Sequence, residues 1–409
     1  MSYLVEFPAR QVQALGDHVT RRVDGLLHYG GLTPSLTELL DVRVHRYSSR
    51  EAVVELGGPR LTYRELWGTA ARVAGGLLNR GIGFGDRVAI SYPNSAQWVQ
   101  AFLGALLSGA VPVPVNYGFS SADKRHVLAD SEVDFVLDDE LPDGTAFIDD
   151  GACLTELAVL CYTRGRTGLP KGVELSNENV LSAIESVIAA EGLTGDGLRN
   201  LVMLPLSSAN GCIDQLLPTL AVGGTLVIAP DRDPDRLRSA VRNERIDAVS
   251  ATPVEYGQAL AGDAFGVAGE VRRICCAGGS LAPDQVRGLR TAFPAAKQWS
   301  LWGATETSGV GLTMSDDDAS AHPGSVGIAF GGMELALFGP RAADGVGELL
   351  CRGPNVMRGY WRNPAATAEK FTGNWFHTGE IAQIDGDGYV RIVESGSVEQ
   401  ARAESVERV

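Results

Sequence analysis

Leu160 to Asn179 reads LCYTRGRTGLPKGVELSNEN. A short apolar run, Leu157 to Cys161, leads into a loop that holds three glycines, two threonines, two arginines and one lysine within eleven residues. Glycines at 165, 168 and 172 let the backbone turn back on itself and bring N–H groups close to an anion. Thr163 and Thr167 add hydroxyl donors, and Lys171 adds a point charge. That composition points to phosphate. It is not the P-loop of nucleoside triphosphatases, because Gly172 stands where that motif carries the hydroxyl residue that holds magnesium.

Working outward, a chain of 409 residues is long enough for two or three domains and a large core. Apolar residues make up 44% and charged ones 21%, which reads as soluble and globular, and the formal charge of -15 argues against nucleic acid or an anionic membrane as a general partner. Phosphate binding must then be local, built by the loop. No leader-like apolar segment follows Met1 and no run approaches a membrane span. The six cysteines form no CxxC pair and the histidines are not at metal spacing, so reduced thiols in a cytoplasmic protein without zinc are expected.

Helix and strand patterns alternate on both sides of the loop. Before it, LTYRELWGTAARVAGGLLNRGI has helical spacing with Thr62 as cap and Gly81 as stop, DRVAISY follows as a buried strand, and SAQWVQAFLGALLSGA and VPVPVN repeat the pair. After it come ENVLSAIESVIAAEGL, NLVMLPL, GCIDQLLPTLAVGG, TLVIAP, a helix capped by Asp233, and DAVSATP. This rhythm predicts an α/β fold with two doubly wound, mostly parallel sheets covered by helices. From about Gly331 short strands separated by glycine turns, with DGDG as a hairpin signal, predict a small distorted β-barrel. The expected division is 1–330 for the core with its two subdomains, 331–393 for the barrel, and 394–409 for a hinge remnant or tail. Residues 1–60 carry weak signals apart from helical spacing at Leu36 to Val44.

Four further segments have the texture of a site: SLWGATETSG (300–309), ICCAGGSLAP (274–283), GELLCRGPNVMRGYW (347–361) with NWFHTGEIAQIDGDGYV (374–390), and LPLSSANGCIDQLL (204–217). With the phosphate loop they resemble the adenylate-forming superfamily of acyl- and aryl-CoA synthetases, nonribosomal peptide synthetase adenylation domains and luciferases. That family's loop is written YTSGTTGxPKGVxLTHxN. The resemblance runs from about Leu61 to Val393. It implies ATP and magnesium as cofactors, a small carboxylic acid as substrate, formation of acyl-AMP with loss of pyrophosphate, and an acceptor left open among CoA, the phosphopantetheine of a carrier protein, and an amine.

Residue by residue, the resemblance gives Lys171, Thr305 and Glu306 to catalysis, with Thr305 on the α-phosphate and Glu306 on magnesium, a cation that prefers carboxylate oxygen. Thr163, Arg164, Gly165, Arg166, Thr167, Gly168 and Lys171 would hold phosphate. Gly278, Gly279, Ser280, Trp302 and Gly303 would hold adenosine, Trp302 by stacking. Glu380 falls where the family has the acidic residue that binds both ribose hydroxyls. Ser208, Asn210, Ala277, Gly278 and Gly303 would face the acid. Ser208 replaces a histidine usual in CoA ligases, and Asn210 falls where amino-acid-activating members carry an aspartate. Asn210 reads equally as a neutral partner for the acid and as a helix cap.

The pattern also breaks. Arg164 and Arg166 replace the Ser and first Thr of SGTTG, either adding guanidinium groups for a polyanion or marking a loop that folds differently. Asn177 replaces a histidine. The family continues from DGYxxxxGR into a mobile C-terminal domain that carries a lysine used in adenylation, whereas here Glu394 and Ser395 replace GR and the text stops at Val409. The expectation is a natural chain without that domain, assisted by a partner that supplies it. The rival expectation is a non-catalytic nucleotide- or adenylate-binding subunit of a complete synthetase.

Overall fold

The computed structural model describes residues 3–7, 18–163, 168–231 and 233–393. Its largest sheet has nine strands. In spatial order they are Ile328–Ala329, Leu312–Ser315, Lys297–Trp302, Arg273–Ala277, Ala248–Ala251, Arg199–Val202, Thr225–Ile228, Glu51–Glu55 and Arg60–Thr62. From Lys297–Trp302 to Glu51–Glu55 every neighbour is parallel, and both ends close with antiparallel pairs. Buried on both faces, the inner strands are short apolar words such as TLVI and AVSA. The two strands from 51–62 come from a stretch whose own pattern is weak, because a strand of three to five residues shows too little periodicity to be read alone.

The second sheet is smaller, with Val111–Pro114, Arg87–Ile90 and Phe135–Leu137 all parallel. Helix Tyr63–Leu78 begins as predicted: Thr62 accepts from the Glu65 N–H while the Glu65 carboxylate accepts from the Thr62 N–H, and Gly81 follows at φ 78°. Helix Ala96–Leu107 is capped by Ser95, and helix Pro234–Asn243 by Asp233. The segment 331–393 forms an antiparallel sheet of six strands that also takes in Leu4–Phe7. The DGDG hairpin is there, with Asp385 Oδ1 accepting from the N–H groups of Asp387 and Tyr389 before strand Val390–Val393. Residues 394–409 lie outside the described residues.

One local departure matters for the site. The helical pattern over 211–224 resolves into a π-helix, Asn210–Leu216, that runs into an α-helix, Leu217–Val222. Pro218 has no N–H to give to the carbonyl four residues back, and Leu217 donates five back, to Cys212. The wider turn is the result.

Candidate active site

The phosphate loop is the connection of a hairpin between Leu157–Tyr162 and Gly172–Ser176, with Tyr162 opposite Gly172. Its neck is closed twice: Thr163 N–H donates to the Lys171 carbonyl at 3.0 Å, and Lys171 N–H donates to Thr163 Oγ1 at 3.1 Å. Gly168 is exposed. Arg164, Gly165, Arg166 and Thr167 lie outside the described residues. Asn177 is buried and hydrogen-bonded within the protein. Its side chain accepts from Leu36 N–H and donates to the Cys153 and Glu156 carbonyls, while Ser176 and Asn179 form the capping box of helix Asn177–Glu191.

A third strand, Gly359–Tyr360, pairs with Gly172–Ser176 and brings in a residue to which no role had been given. Tyr360 puts its ring 4.4 Å from Lys171 Nζ and donates its hydroxyl to Glu306 Oε1 at 2.7 Å. Burial first, then the Glu306 carboxylate, pushes the Tyr360 pKa well up, so the phenol remains a donor. Glu306 sits in the short turn Thr305–Thr307, and its carbonyl accepts from Met357 N–H at 2.8 Å. Lysine, ring and carboxylate from three distant segments therefore form one contact chain.

A cavity of about 730 Å³ brings together Gly278, Gly279, Ser280, Trp302, Gly303 and Glu380, while Lys171, Thr305, Glu306 and Tyr360 are not on its lining. Gly303 is obligatory: a Cβ there would lie 2.0 Å from the Gly309 carbonyl oxygen. Glu380 lies in strand Trp375–Ile384 at a bulge in its pairing, and that bulge is fixed from below. Gly379 N–H donates to Glu348 Oε1 at 3.1 Å, His377 Nδ1 lies 3.1 Å from Glu348 Oε2, and His377 Nε2 lies 2.8 Å from Thr372 Oγ1.

On the acid side Ala277 is buried at the end of strand Arg273–Ala277, directly before the cavity glycines. Ser208 is committed to the backbone, with Oγ donating to Pro205 O at 2.7 Å and accepting from Gly211 N–H at 3.1 Å. Asn210 is not a cap. Its Nδ2 donates to Asp214 Oδ2 at 2.8 Å and to the Gly309 carbonyl at 3.2 Å, which ties the π-helix to the strand turn behind Gly303.

The model of the AMP-binding enzyme family matches residues 40–154 and 148–361. The chain belongs to that family. It is 33% identical over 392 residues to a feruloyl-CoA synthase from an Amycolatopsis species, covering 86% of this chain and 77% of that protein. Among solved structures, the inhibitor-bound N-terminal domain of FACL13 from Mycobacterium tuberculosis superposes with a TM-score of 0.79 at 26% identity, covering 88% of this chain and 100% of that one. An o-succinylbenzoate coenzyme A synthetase from Bacillus subtilis, solved with ATP and magnesium ion, shares the fold with a TM-score of 0.79 at 23% identity, covering 88% and 79%. By class the chain is an adenylate-forming acyl-CoA ligase.

The Bacillus subtilis synthetase was solved with ATP and magnesium ion, and the residues present here fit such an ion. Among the described residues no group of three or more His, Cys, Asp or Glu could cage a metal, and Glu306 keeps Oε2 without a hydrogen-bond partner. One carboxylate oxygen is what magnesium takes when the nucleotide phosphates and water complete its shell. Tyr360, Glu348 and His377 are the residues the sequence reading passed over. All three lie inside the quoted segments GELLCRGPNVMRGYW and NWFHTGE, where only the acidic residue after TG was given a task. All six cysteines are free and five are buried, and among the described residues no helix is long and apolar enough to cross a membrane.

Proposed function

We propose that the chain joins a carboxylic acid to AMP at the expense of ATP and then passes the acyl group to the thiol of CoA. A carboxylate oxygen attacks the α-phosphorus, the bond to the β-phosphate oxygen breaks, and pyrophosphate leaves. The thiol then attacks the acyl carbon and AMP departs. Lys171 and the loop hold the phosphates, Glu306 Oε2 holds magnesium, Trp302 stacks on adenine, and Glu380 accepts from the ribose hydroxyls. Thr305, next to Glu306 in the same short turn, contacts the α-phosphate. Bound magnesium offsets charge on the phosphates.

The observation that carries this reading is the chain Lys171–Tyr360–Glu306. A cation suited to phosphate and a carboxylate suited to magnesium are bridged by one phenol, and the chain also forms a cavity floored by glycine and walled by Trp302. Positioning and charge compensation are most of what phosphoryl chemistry asks of a protein. CoA is the acceptor favoured by the names of the relatives, and a carrier-protein phosphopantetheine presents the same thiol. The test is ATP–pyrophosphate exchange with a panel of aliphatic, aryl and amino acids. Exchange that depends on one class of acid supports the reading. ATP binding with no exchange for any acid sinks it.

A further inference from the structure

Strand Trp375–Ile384 does not pair evenly with Val346–Arg352. Glu348 faces Ile381 and Leu350 faces His377, so Thr378, Gly379 and Glu380 all stand against Leu349. An ordinary bulge sets two residues against one; this one sets three, and its backbone N–H groups need partners outside the ladder.

Side chains supply them. Gly379, at φ 79°, donates its N–H to Glu348 Oε1 at 3.1 Å, and Glu380 donates its N–H to Thr378 Oγ1 at 3.1 Å. The Thr378 hydroxyl in turn donates to the Leu349 carbonyl at 2.7 Å. Glu348 is 6% exposed, and its second oxygen, Oε2, lies 3.1 Å from His377 Nδ1. A carboxylate only accepts, so in the neutral ring Nδ1 carries the proton and Nε2 accepts from the Thr372 hydroxyl 2.8 Å away. Two side chains hold the bulge, and His377 with Thr372 holds one of them. None of these four residues lines the cavity, whereas Glu380 does. What they fix is where the Glu380 backbone sits, and a carboxylate that serves two hydroxyls at once depends on such placement.

We infer that Glu348 and Thr378 are positioning residues for the sugar of the nucleotide: they hold the bulge that presents Glu380 to both ribose hydroxyls, and so set the discrimination between ribose and deoxyribose. This rests on the reading above that Glu380 accepts from the ribose. A site that hydrogen-bonds a hydroxyl rejects the analogue lacking it, because the protein group is left unpaired; a carboxylate moved out of reach of the hydroxyls has nothing to reject. Position and charge can be separated at Glu348. In Glu348→Gln the amide oxygen accepts from Gly379 while its N–H donates to His377 Nδ1, and the ring, now protonated at Nε2, donates to Thr372. Every bond survives without the charge. Glu348→Leu keeps none of them.

The test is calorimetric binding of ATP, 2′-deoxy-ATP and 3′-deoxy-ATP, each with magnesium. The wild-type protein should favour ATP over each analogue by about tenfold or more. Thr378→Val, which keeps the branched shape without the hydroxyl, and Glu348→Leu should each bring both ratios close to one by weakening ATP and not the analogues. Thr378→Ser and Glu348→Gln should restore them. A protein merely loosened by these changes would lose all three nucleotides alike, and that result would overturn the inference. Ratios unchanged in Thr378→Val and Glu348→Leu but abolished in Glu380→Ala would also overturn it, and would leave Glu380 on the ribose. Ratios near one in the wild type would sink that placement and the inference with it. Hydrogen exchange needs no variant and decides even where one fails to fold: the Gly379 and Glu380 amides should be protected in the nucleotide-free protein, and exchange as fast as in an open loop would overturn the inference.

Discussion

The nucleotide side and the acid side of this site are built in different ways. In the proposed reading each piece of the nucleotide side is a short contiguous segment: the Thr163–Lys171 neck, Gly278–Gly279, the Thr305–Glu306 turn and the strand bulge carrying Glu380. The proposed acid side is assembled from single residues of separate elements, Asn210 from a π-helix, Ala277 from a strand end, and Gly309 from the turn beyond Glu306. Backbone geometry dominates the first, so substitutions there should act on ATP. Side-chain chemistry dominates the second, so substitutions there should act on the choice of acid. Gly303 belongs to both.

The largest effect is expected where phosphate charge is met. Lys171→Ala and Glu306→Gln should each lower the exchange rate on the order of a hundredfold while far-ultraviolet circular dichroism stays unchanged, as expected when a charge-stabilising group is removed. Next is Gly303→Ala, whose new Cβ would meet the Gly309 carbonyl at 2.0 Å. Overpacking of this kind costs about 1–3 kcal/mol, so the urea midpoint should fall and affinity for ATP and acid should drop together. A loss confined to one ligand would break the idea that this wall is shared.

Tyr360→Phe sharpens the contrast. It keeps the ring beside Lys171 and removes the hydrogen bond to Glu306, and a bond to a charged group is worth about 1.5–3 kcal/mol. The KM for MgATP should rise about tenfold, with the preference among acids unmoved. A changed acid preference would show that the two sides are not separable.

The smallest effect concerns pH. Burial raises the Glu191 carboxyl from its ordinary value of 4.5 to about 7. Between those values the native protein holds a proton that the unfolded chain has lost, so stability is greatest at the acid end of the window and is withdrawn as pH rises towards 7. Asp214 shifts in the same direction. Glu191→Gln should flatten the dependence of the urea midpoint between pH 5 and 7.5. A midpoint that rises with pH in the wild type would contradict the assignment.

The same contrast explains what the sequence disclosed. Helix starts were legible because caps are local: Thr62 and Asp233 both act where they were read. The cavity was legible in Trp302, Gly278, Gly279 and Glu380, since a turn that lets backbone approach a ligand is written in adjacent residues. Tyr360 was harder to see, because Lys171 reaches it only through strand pairing across nearly two hundred positions of chain, and Glu306 lies 54 positions away in a separate turn. The π turn over Asn210–Leu216 was harder still. GCIDQLL reads as ordinary helix, and the wider turn that sets Asn210 against Asp214 goes with Pro218 beyond it. Strands 4–7 and 51–62 were not read because they are short and pair with segments far along the chain.

The most direct measurement of the central claim, that Lys171, Tyr360 and Glu306 hold magnesium and nucleotide together, is calorimetry of ATP binding with magnesium and with EDTA, in the wild-type protein and in Glu306→Gln. The wild type should bind ATP markedly more tightly with magnesium. Glu306→Gln should lose most of that gain and keep the weaker, metal-free affinity. Equal magnesium dependence in the two proteins would mean that Glu306 does not hold the ion and that the site is assembled elsewhere.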